Sequence, residues 1–204
     1  MPGALVILGG EPPSEALLKR FWSSASFRLA ADGGANRLIQ MGYKPDLILG
    51  DLDSLEGRPE GITVKEVSRQ SDTDGEKALE ELQHRGIKEA VVLGAFGGRM
   101  DFTLFNLMLP LRFTDLELSF YHRNEYIFLA PEVCAISGQD GARVSLLPLG
   151  GPVKGLSAQG LKWPLESATL EPEGLVSVSN ALDGPEALVR HEAGSLMIFV
   201  QQPV

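Results

Sequence analysis

Through the first 125 residues, short apolar runs alternate with amphipathic stretches, the pattern of a parallel sheet flanked by helices. Ala4-Leu5-Val6-Ile7-Leu8 predicts a buried strand ending on Gly9-Gly10. Pro13-Ser14-Glu15 opens a helix that runs to about Trp22, and Phe27-Arg28-Leu29-Ala30-Ala31 forms a second strand leading into Asp32-Gly33-Gly34. A helix over residues 36–41 precedes a third strand, Asp46-Leu47-Ile48-Leu49, which runs directly into Gly50-Asp51-Leu52-Asp53-Ser54; a short strand over 64–67 follows. Residues 73–85 place Ala78, Leu79 and Leu82 on one helical face, and Thr73 with Glu76 has the spacing of a capping box. Ala90-Val91-Val92-Leu93 predicts another buried strand. After Gly94-Ala95-Phe96-Gly97-Gly98 comes a helix carrying Asp101, Leu104, Phe105 and Met108 that stops at Pro110, and Leu116-Glu117-Leu118-Ser119-Phe120 closes the series.

Beyond about Arg123 the pattern changes. Short β-like runs at 126–129, 144–147, 169–170, 175–178 and 196–200 are separated by Gly and Pro turns, with no helical period of useful length. The expected fold is therefore α/β: a Rossmann-like, mostly parallel sheet flanked by helices over residues 1–125, followed by a small all-β sandwich domain over 126–204.

Composition narrows the function classes. The 204 residues carry 18 Lys and Arg against 27 Asp and Glu, a net charge of −9. No nucleic-acid partner is expected, because such proteins neutralise phosphates with clustered cations. The longest apolar runs are far short of the ~20 residues that span a bilayer, so no membrane association is expected, and the opening Met1-Pro2-Gly3 lacks the pattern of a signal peptide, which points to the cytoplasm. The single cysteine, Cys134, has no internal disulfide partner, and His84, His122 and His191 lie apart from any zinc-type spacing.

In open α/β sheets, ligands bind beyond the carboxyl ends of the strands. Asp32 follows the second strand, Asp51 and Asp53 follow the third, Asp101 follows the glycine loop after residues 90–93, and Asp74 opens the preceding helix. Carboxylates converging on one rim repel unless a cation lies among them, which indicates a magnesium site. Gly33-Gly34 and Gly97-Gly98, each ahead of a helix, offer backbone N–H groups to a phosphate, and Arg99 adds a fork of donors.

Taken in order, Ala31-Asp32-Gly33-Gly34-Ala35-Asn36-Arg37-Leu38, Pro45-Asp46 with Gly50-Asp51-Leu52-Asp53-Ser54, Thr73-Asp74-Gly75-Glu76 and Gly94-Ala95-Phe96-Gly97-Gly98-Arg99-Met100-Asp101 resemble the motifs of the thiamine pyrophosphokinase family. In the β-rich part, Gly160-Leu161-Lys162-Trp163-Pro164-Leu165 and Ser177-Val178-Ser179-Asn180 resemble its thiamine-site segments. The resemblance implies transfer of a diphosphate from ATP to thiamine, giving thiamine diphosphate and AMP, in a homodimer with thiamine at the subunit interface. It implies Mg²⁺ held by Asp51, Asp53, Asp74 and Asp101, which also form the catalytic set. The nucleotide side would use Asp32, Gly33, Gly34, Asn36, Gln70, Thr73, Gly97, Gly98 and Arg99, and thiamine would meet Trp163, Ser179 and Asn180. Which aspartate acts as base stays open.

Three positions depart from the family pattern: Ser71 stands where Asp is common, Phe102 where His is frequent, and Ala181 where many bacterial members have Glu. Leu47-Ile48-Leu49-Gly50-Asp51-Leu52-Asp53 also looks like the nucleophile loop of haloacid dehalogenase phosphatases. That loop follows the third strand rather than the first, and the alternative leaves the Asp-Gly-Gly and Gly-Gly-Arg-x-Asp segments unexplained. A pterin pyrophosphokinase, with a similar α/β part, would not require the Trp163 and Asn180 segments; a non-catalytic thiamine or nucleotide binder would show stabilisation by ligand without turnover.

Overall fold

The computed structural model describes residues 3–53, 55–57 and 59–202; Ser54, the last residue of the Gly50-Asp51-Leu52-Asp53-Ser54 motif, and Met1-Pro2 at the start fall outside that range. The chain divides into two compact units, Met1–Arg123 and Asn124–Val204.

In the first unit the elements are β1 (Ala4–Ile7), α1 (Glu15–Trp22), β2 (Phe27–Ala31), α2 (Gly33–Gln40), β3 (Leu47–Gly50), β4 (Thr63–Glu66), α3 (Asp74–His84), β5 (Glu89–Leu93), α4 (Met100–Arg112) and β6 (Glu117–His122). Its strands run in the order β6-β5-β1-β2-β3-β4, and every pairing is parallel. β1 and β3 are buried along their whole length, as the continuous apolar runs of a sheet covered on both faces require. Leu5, Ile7, Leu18, Leu38, Ile48 and Leu93 share one core cluster, in which α1 and α2 cover the sheet. Losing one such leucine to alanine costs about 2–5 kcal/mol.

The helix boundaries follow local chemistry. The Ser14 side chain accepts from Leu17 N at the start of α1. Thr73 and Glu76 form the capping box expected at α3, each side chain accepting from the other's backbone N–H. Two boundaries differ from expectation. α2 begins at Gly33, three residues earlier than the apolar period indicates, because Asp32 turns the chain at φ 27°, ψ −106° and Gly33 is already helical. Pro110 does not stop α4, which continues to Arg112; it sits in the final turn, where Phe113 N still reaches Leu109 O at 3.0 Å. No helix among the described residues is long and apolar enough to cross a membrane.

The second unit contains β7 (Glu125–Leu129), β8 (Val133–Ser137), β9 (Arg143–Pro148), β10 (Val153–Gln159), β11 (Leu165–Leu170), β12 (Ser177–Ala181), β13 (Glu186–Arg190) and β14 (Leu196–Gln201). They form two antiparallel layers, β12-β9-β14-β7 and β11-β10-β13-β8. Val144, Leu146 and Ile198 from one layer share a core with Leu156, Ala158 and Val189 from the other, which makes this unit a sandwich. Three strands of the second layer, β8, β10 and β13, are absent from the hydrophobic pattern because their inward positions include small residues such as Ala158 and Ala187. Gly155, at φ 65°, and the register shifts along β10 further break its alternation.

Candidate active site

β1 lies between β5 and β2, so the direction of strand succession reverses between β1 and β5. At such a switch point the connections leave on opposite faces and open a crevice at the strand ends. There the structure has a cavity of about 500 Å³, walled by the loops after β1, β2 and β5 and by the first turn of α3.

The wall is built by backbone pairing that continues past the strands. Leu8 N donates to Leu93 O at 2.9 Å, Gly10 N to Gly94 O at 2.8 Å and Glu11 N to Phe96 O at 2.7 Å. Gly97, at φ 83°, has room for no side chain: a Cβ there would stand 2.6 Å from the Glu11 Cβ. Gly50 is equally constrained by a neighbour, since its Cβ would lie 2.7 Å from that of Asp32. Asp32 is buried, and its N–H donates to Leu49 O at 2.9 Å; holding its sparsely populated conformation costs about 1–3 kcal/mol, the sort of strain that collects at functional sites.

Six of the expected residues line this cavity: Asp32, Gly33, Asp74, Gly97, Gly98 and Arg99. α2 and α4 begin there without a side-chain cap from Asp32 or Arg99, which leaves N-terminal backbone N–H groups available to an anion. Asp74 stands in the first turn of α3, its carboxylate 42% exposed and 3.1 Å from the ammonium of buried Lys77.

The other expected residues stand elsewhere. Gly34 lets α2 close onto β1, since a Cβ there would meet Ile7 O at 2.8 Å. Asn36 Oδ1 accepts from Glu56 N at 2.9 Å and braces the loop after β3. Thr73 is engaged in its capping box, and Gln70 is exposed. Asp51 and Asp53 lie on that same loop, where Asp53 N approaches Asp51 Oδ1 at 3.5 Å. Asp101 is taken by Arg99 through two contacts, Nε to Oδ1 at 3.1 Å and Nη2 to Oδ2 at 2.5 Å; the guanidinium holds the Asp101 carboxyl below its ordinary range. Asp72, beside the Ser71 departure, is likewise engaged, by Arg69 at 3.1 Å and Ser71 at 3.0 Å.

Of the five carboxylates expected on one rim, Asp32 and Asp74 line the cavity wall, while Asp51 and Asp53 stand on the loop after β3 and Asp101 in the first turn of α4. Among the described residues no group of three or more His, Cys, Asp or Glu side chains is placed to hold a metal ion. The donor chemistry nonetheless fits magnesium, which keeps several waters and binds through one or two carboxylates together with substrate phosphates rather than in an all-protein cage.

Two wall residues escaped the sequence reading. Glu11, directly after Gly9-Gly10, is held by Arg123 through contacts of 3.2 and 2.9 Å, and that hydrogen-bonded guanidinium keeps its carboxyl below the usual range. Asn106 is a buried polar residue on the apolar helix α4; its polarity at a buried helical position was the available signal.

In the second unit the expected thiamine residues form a corner of their own. The Trp163 side chain is largely exposed, with the residue 56% accessible, and the Lys162 ammonium lies 5.2 Å from its ring centroid. Ser179, at φ 60°, is exposed beside the register shift of β12. Asn180, expected to contact an aminopyrimidine, is engaged within the protein. It is buried, and its Oδ1 accepts from Trp163 N at 3.2 Å and Ala181 N at 2.9 Å. Its Nδ2 donates to Trp163 O at 2.7 Å and Ser177 Oγ at 3.3 Å. Two donors and two acceptors make up the capacity of an amide side chain, and Asn180 uses them to bracket the Trp163 backbone.

Residues 18–121 match the family model for thiamin pyrophosphokinase, catalytic domain, and residues 134–196 match that for thiamin pyrophosphokinase, vitamin B1 binding domain. The chain is 31% identical to thiamine pyrophosphokinase 1 of Oryza sativa subsp. japonica, across 96% of this chain and 85% of that protein. It is 29% identical to thiamine pyrophosphokinase 2 of Arabidopsis thaliana, across 96% and 84% respectively. Among solved structures, thiamin pyrophosphokinase from Candida albicans shares the fold with a TM-score of 0.86, over 99% of this chain and 90% of that one, at 21% identity.

Proposed function

The chain belongs to the thiamin pyrophosphokinase family of ATP-dependent diphosphotransferases, and from that premise we propose that it moves the diphosphate of ATP onto the hydroxyl of thiamine, with the first unit as the ATP- and Mg²⁺-binding catalytic domain and the second as the thiamine-binding domain. The observation that carries this reading is the switch-point cavity, where glycine loops, two uncapped helix starts and the carboxylates of Asp32 and Asp74 face one space.

In this mechanism the thiamine oxygen forms a bond to the β-phosphorus, the bond from the β-phosphorus to the α-phosphate oxygen breaks, and AMP leaves. A rim carboxylate accepts the hydroxyl proton. The N–H groups at the starts of α2 and α4 hold the phosphates in line for attack. Arg99 is placed to exchange its Asp101 partner for a phosphate oxygen, the geometry of a fork donor being equally suited to both. Asp74, with Asp51 and Asp53 on the loop after β3 and Asp101 in the first turn of α4, would hold Mg²⁺, which would supply neutralisation of the charge on the transferred group. Trp163 offers its exposed face to the cationic, aromatic thiamine.

The same reading makes the protein a homodimer with thiamine at the subunit interface. Exposed apolar side chains support a partner surface: Met100 and Leu104 on α4, and Trp163, Val176 and Val178 in the second unit. It also sets the reaction in the cytoplasm, where the free, half-buried Cys134 remains reduced.

The test is AMP release from ATP and Mg²⁺ with and without thiamine, following thiamine diphosphate by chromatography. Equal, thiamine-dependent yields of both products are expected. Phosphate release independent of thiamine would replace this reading with a phosphatase, and thiamine binding without turnover would replace it with a binding protein.

A further inference from the structure

The loop joining β5 to α4 is pinned at three consecutive carbonyls. Gly94 O accepts from Gly10 N at 2.8 Å and Phe96 O from Glu11 N at 2.7 Å, both backbone contacts, made possible by glycine at position 10, where a Cβ would stand 2.5 Å from either carbonyl oxygen. The carbonyl between them, Ala95 O, accepts from Asn106 Nδ2 at 2.6 Å. Of the three pins, this one is made by a side chain. Asn106 is 6% exposed and is the one polar residue among the buried positions of α4, the others being Leu109 and Pro110. Burying an amide in such a helix is unfavourable unless both of its ends are used.

The other end faces the start of α3. With Nδ2 committed to a carbonyl, the opposite amide atom is an acceptor, and a Cβ on Gly75 would stand 3.3 Å from that Oδ1 and 3.1 Å from Leu109 Cδ1. The glycine after Asp74 thus lets the first turn of α3 approach the Asn106 amide. Gly75, Ala95 and Asn106 all line the same cavity. The Asn106 side chain, together with Leu109, therefore stands against the Asp74 turn while its Nδ2 holds the loop that carries Gly97, Gly98 and Arg99.

We propose that Asn106 is a positioning residue for the nucleotide: by holding Ala95 O it keeps the 94–98 loop in the form that receives the triphosphate. This rests on the reading of the cavity as the ATP site. Asn106→Asp keeps the shape and removes the donor, and Asn106→Leu keeps most of the volume with no polar atom, so one of the pair remains informative if the other folds poorly.

The experiment measures binding of α,β-methylene ATP with Mg²⁺ by titration calorimetry, the KM for each substrate, and amide exchange at Gly10 and Glu11, whose acceptors sit on the loop. In folded variants nucleotide affinity falls roughly tenfold or more, the thiamine KM stays within about twofold of wild type, and Gly10 and Glu11 exchange faster while Val91 and Val92 do not. Unchanged nucleotide affinity, or equal losses for both substrates, overturns the proposal and leaves Asn106 as a core residue. Failure of the wild type to bind the analogue overturns it together with the cavity reading; binding without thiamine-dependent turnover removes the reaction and leaves the loop role standing.

Discussion

At the mouth of the parallel sheet, polar groups are turned toward open space, whereas at the Trp163 corner the polar side chain of Asn180 is consumed inside the protein and an aromatic ring is turned out. Under the proposed function, the difference follows the chemistry of the two substrates. A triphosphate is recognised by backbone N–H groups and, through a cation, by carboxylates, and the first unit leaves the starts of α2 and α4 without an N-cap side chain and places Asp74 at a cavity wall. A flat cation is recognised by an aromatic face, so the second unit uses its hydrogen bonds to fix the backbone on which that face is mounted. The lesson is that backbone N–H groups and carboxylates gathered at a cavity wall distinguish the first unit, and an amide consumed in fixing the backbone beneath an exposed ring distinguishes the second.

The sharpest way to break the comparison is Asp74→Asn, which removes a charge from the cavity wall while retaining the shape. Turnover should fall about 10²- to 10³-fold with a thermal midpoint near that of wild type; steady-state rates and circular dichroism check it, and retained activity would take Asp74 out of the reaction. Next in size, Trp163→Ala should raise the thiamine KM about 10- to 30-fold by removing a cation–π surface, with the ATP KM within about twofold. Equal effects on both substrates would erase the distinction between the two corners.

Asn180→Ala tests the inward use of polar groups. It strands the Trp163 N–H and carbonyl, so urea unfolding of the variant should show a loss of about 1–3 kcal/mol, and intrinsic fluorescence in a Trp22→Phe background should report a changed Trp163 environment. An unaltered spectrum would mean that the bracket does not hold the ring.

The smallest expected effect concerns a carboxylate of the first unit that serves structure alone. Burial raises the proton affinity of Glu81, but its hydrogen bonds from Lys65 and Arg85 outweigh this and leave its carboxyl below the ordinary value of 4.5. A depressed native value means that the stabilisation is present above the unfolded value and is lost as pH falls through the folded one. Lys65 and Arg85 being about half exposed, Glu81→Gln should therefore lower stability at neutral pH by about 1 kcal/mol and flatten its decline in acid, as read from thermal midpoints across a pH series. A decline as steep as in wild type would assign the acid sensitivity to other carboxylates.

Legibility differed between the units for physical reasons. Strands β1, β3 and β5 and the Thr73 cap were readable because burial on both sheet faces demands unbroken apolar runs and a helix start demands a local acceptor. β8, β10 and β13 were not, because small side chains and a bulge weaken the two-residue period. Among the residues that line the cavity, Asp32, Gly33, Gly97, Gly98 and Arg99 were legible from their place in loops after strands and Asp74 from its place at the start of a helix. Glu11 and Asn106 escaped because their roles depend on partners at Arg123 and Ala95, 112 and 11 positions away.

The family motifs, the α/β-then-β order and the aspartates at strand ends belong to the sequence itself, since each rests on local spacing and composition. Tertiary structure alone decided which carboxylates share a wall, that Asn180 is spent on Trp163, and that Asn106 reaches the carbonyl of Ala95. Those outcomes depend on which backbone groups the folded chain has already satisfied, and that depends on contacts between residues that the linear pattern does not pair.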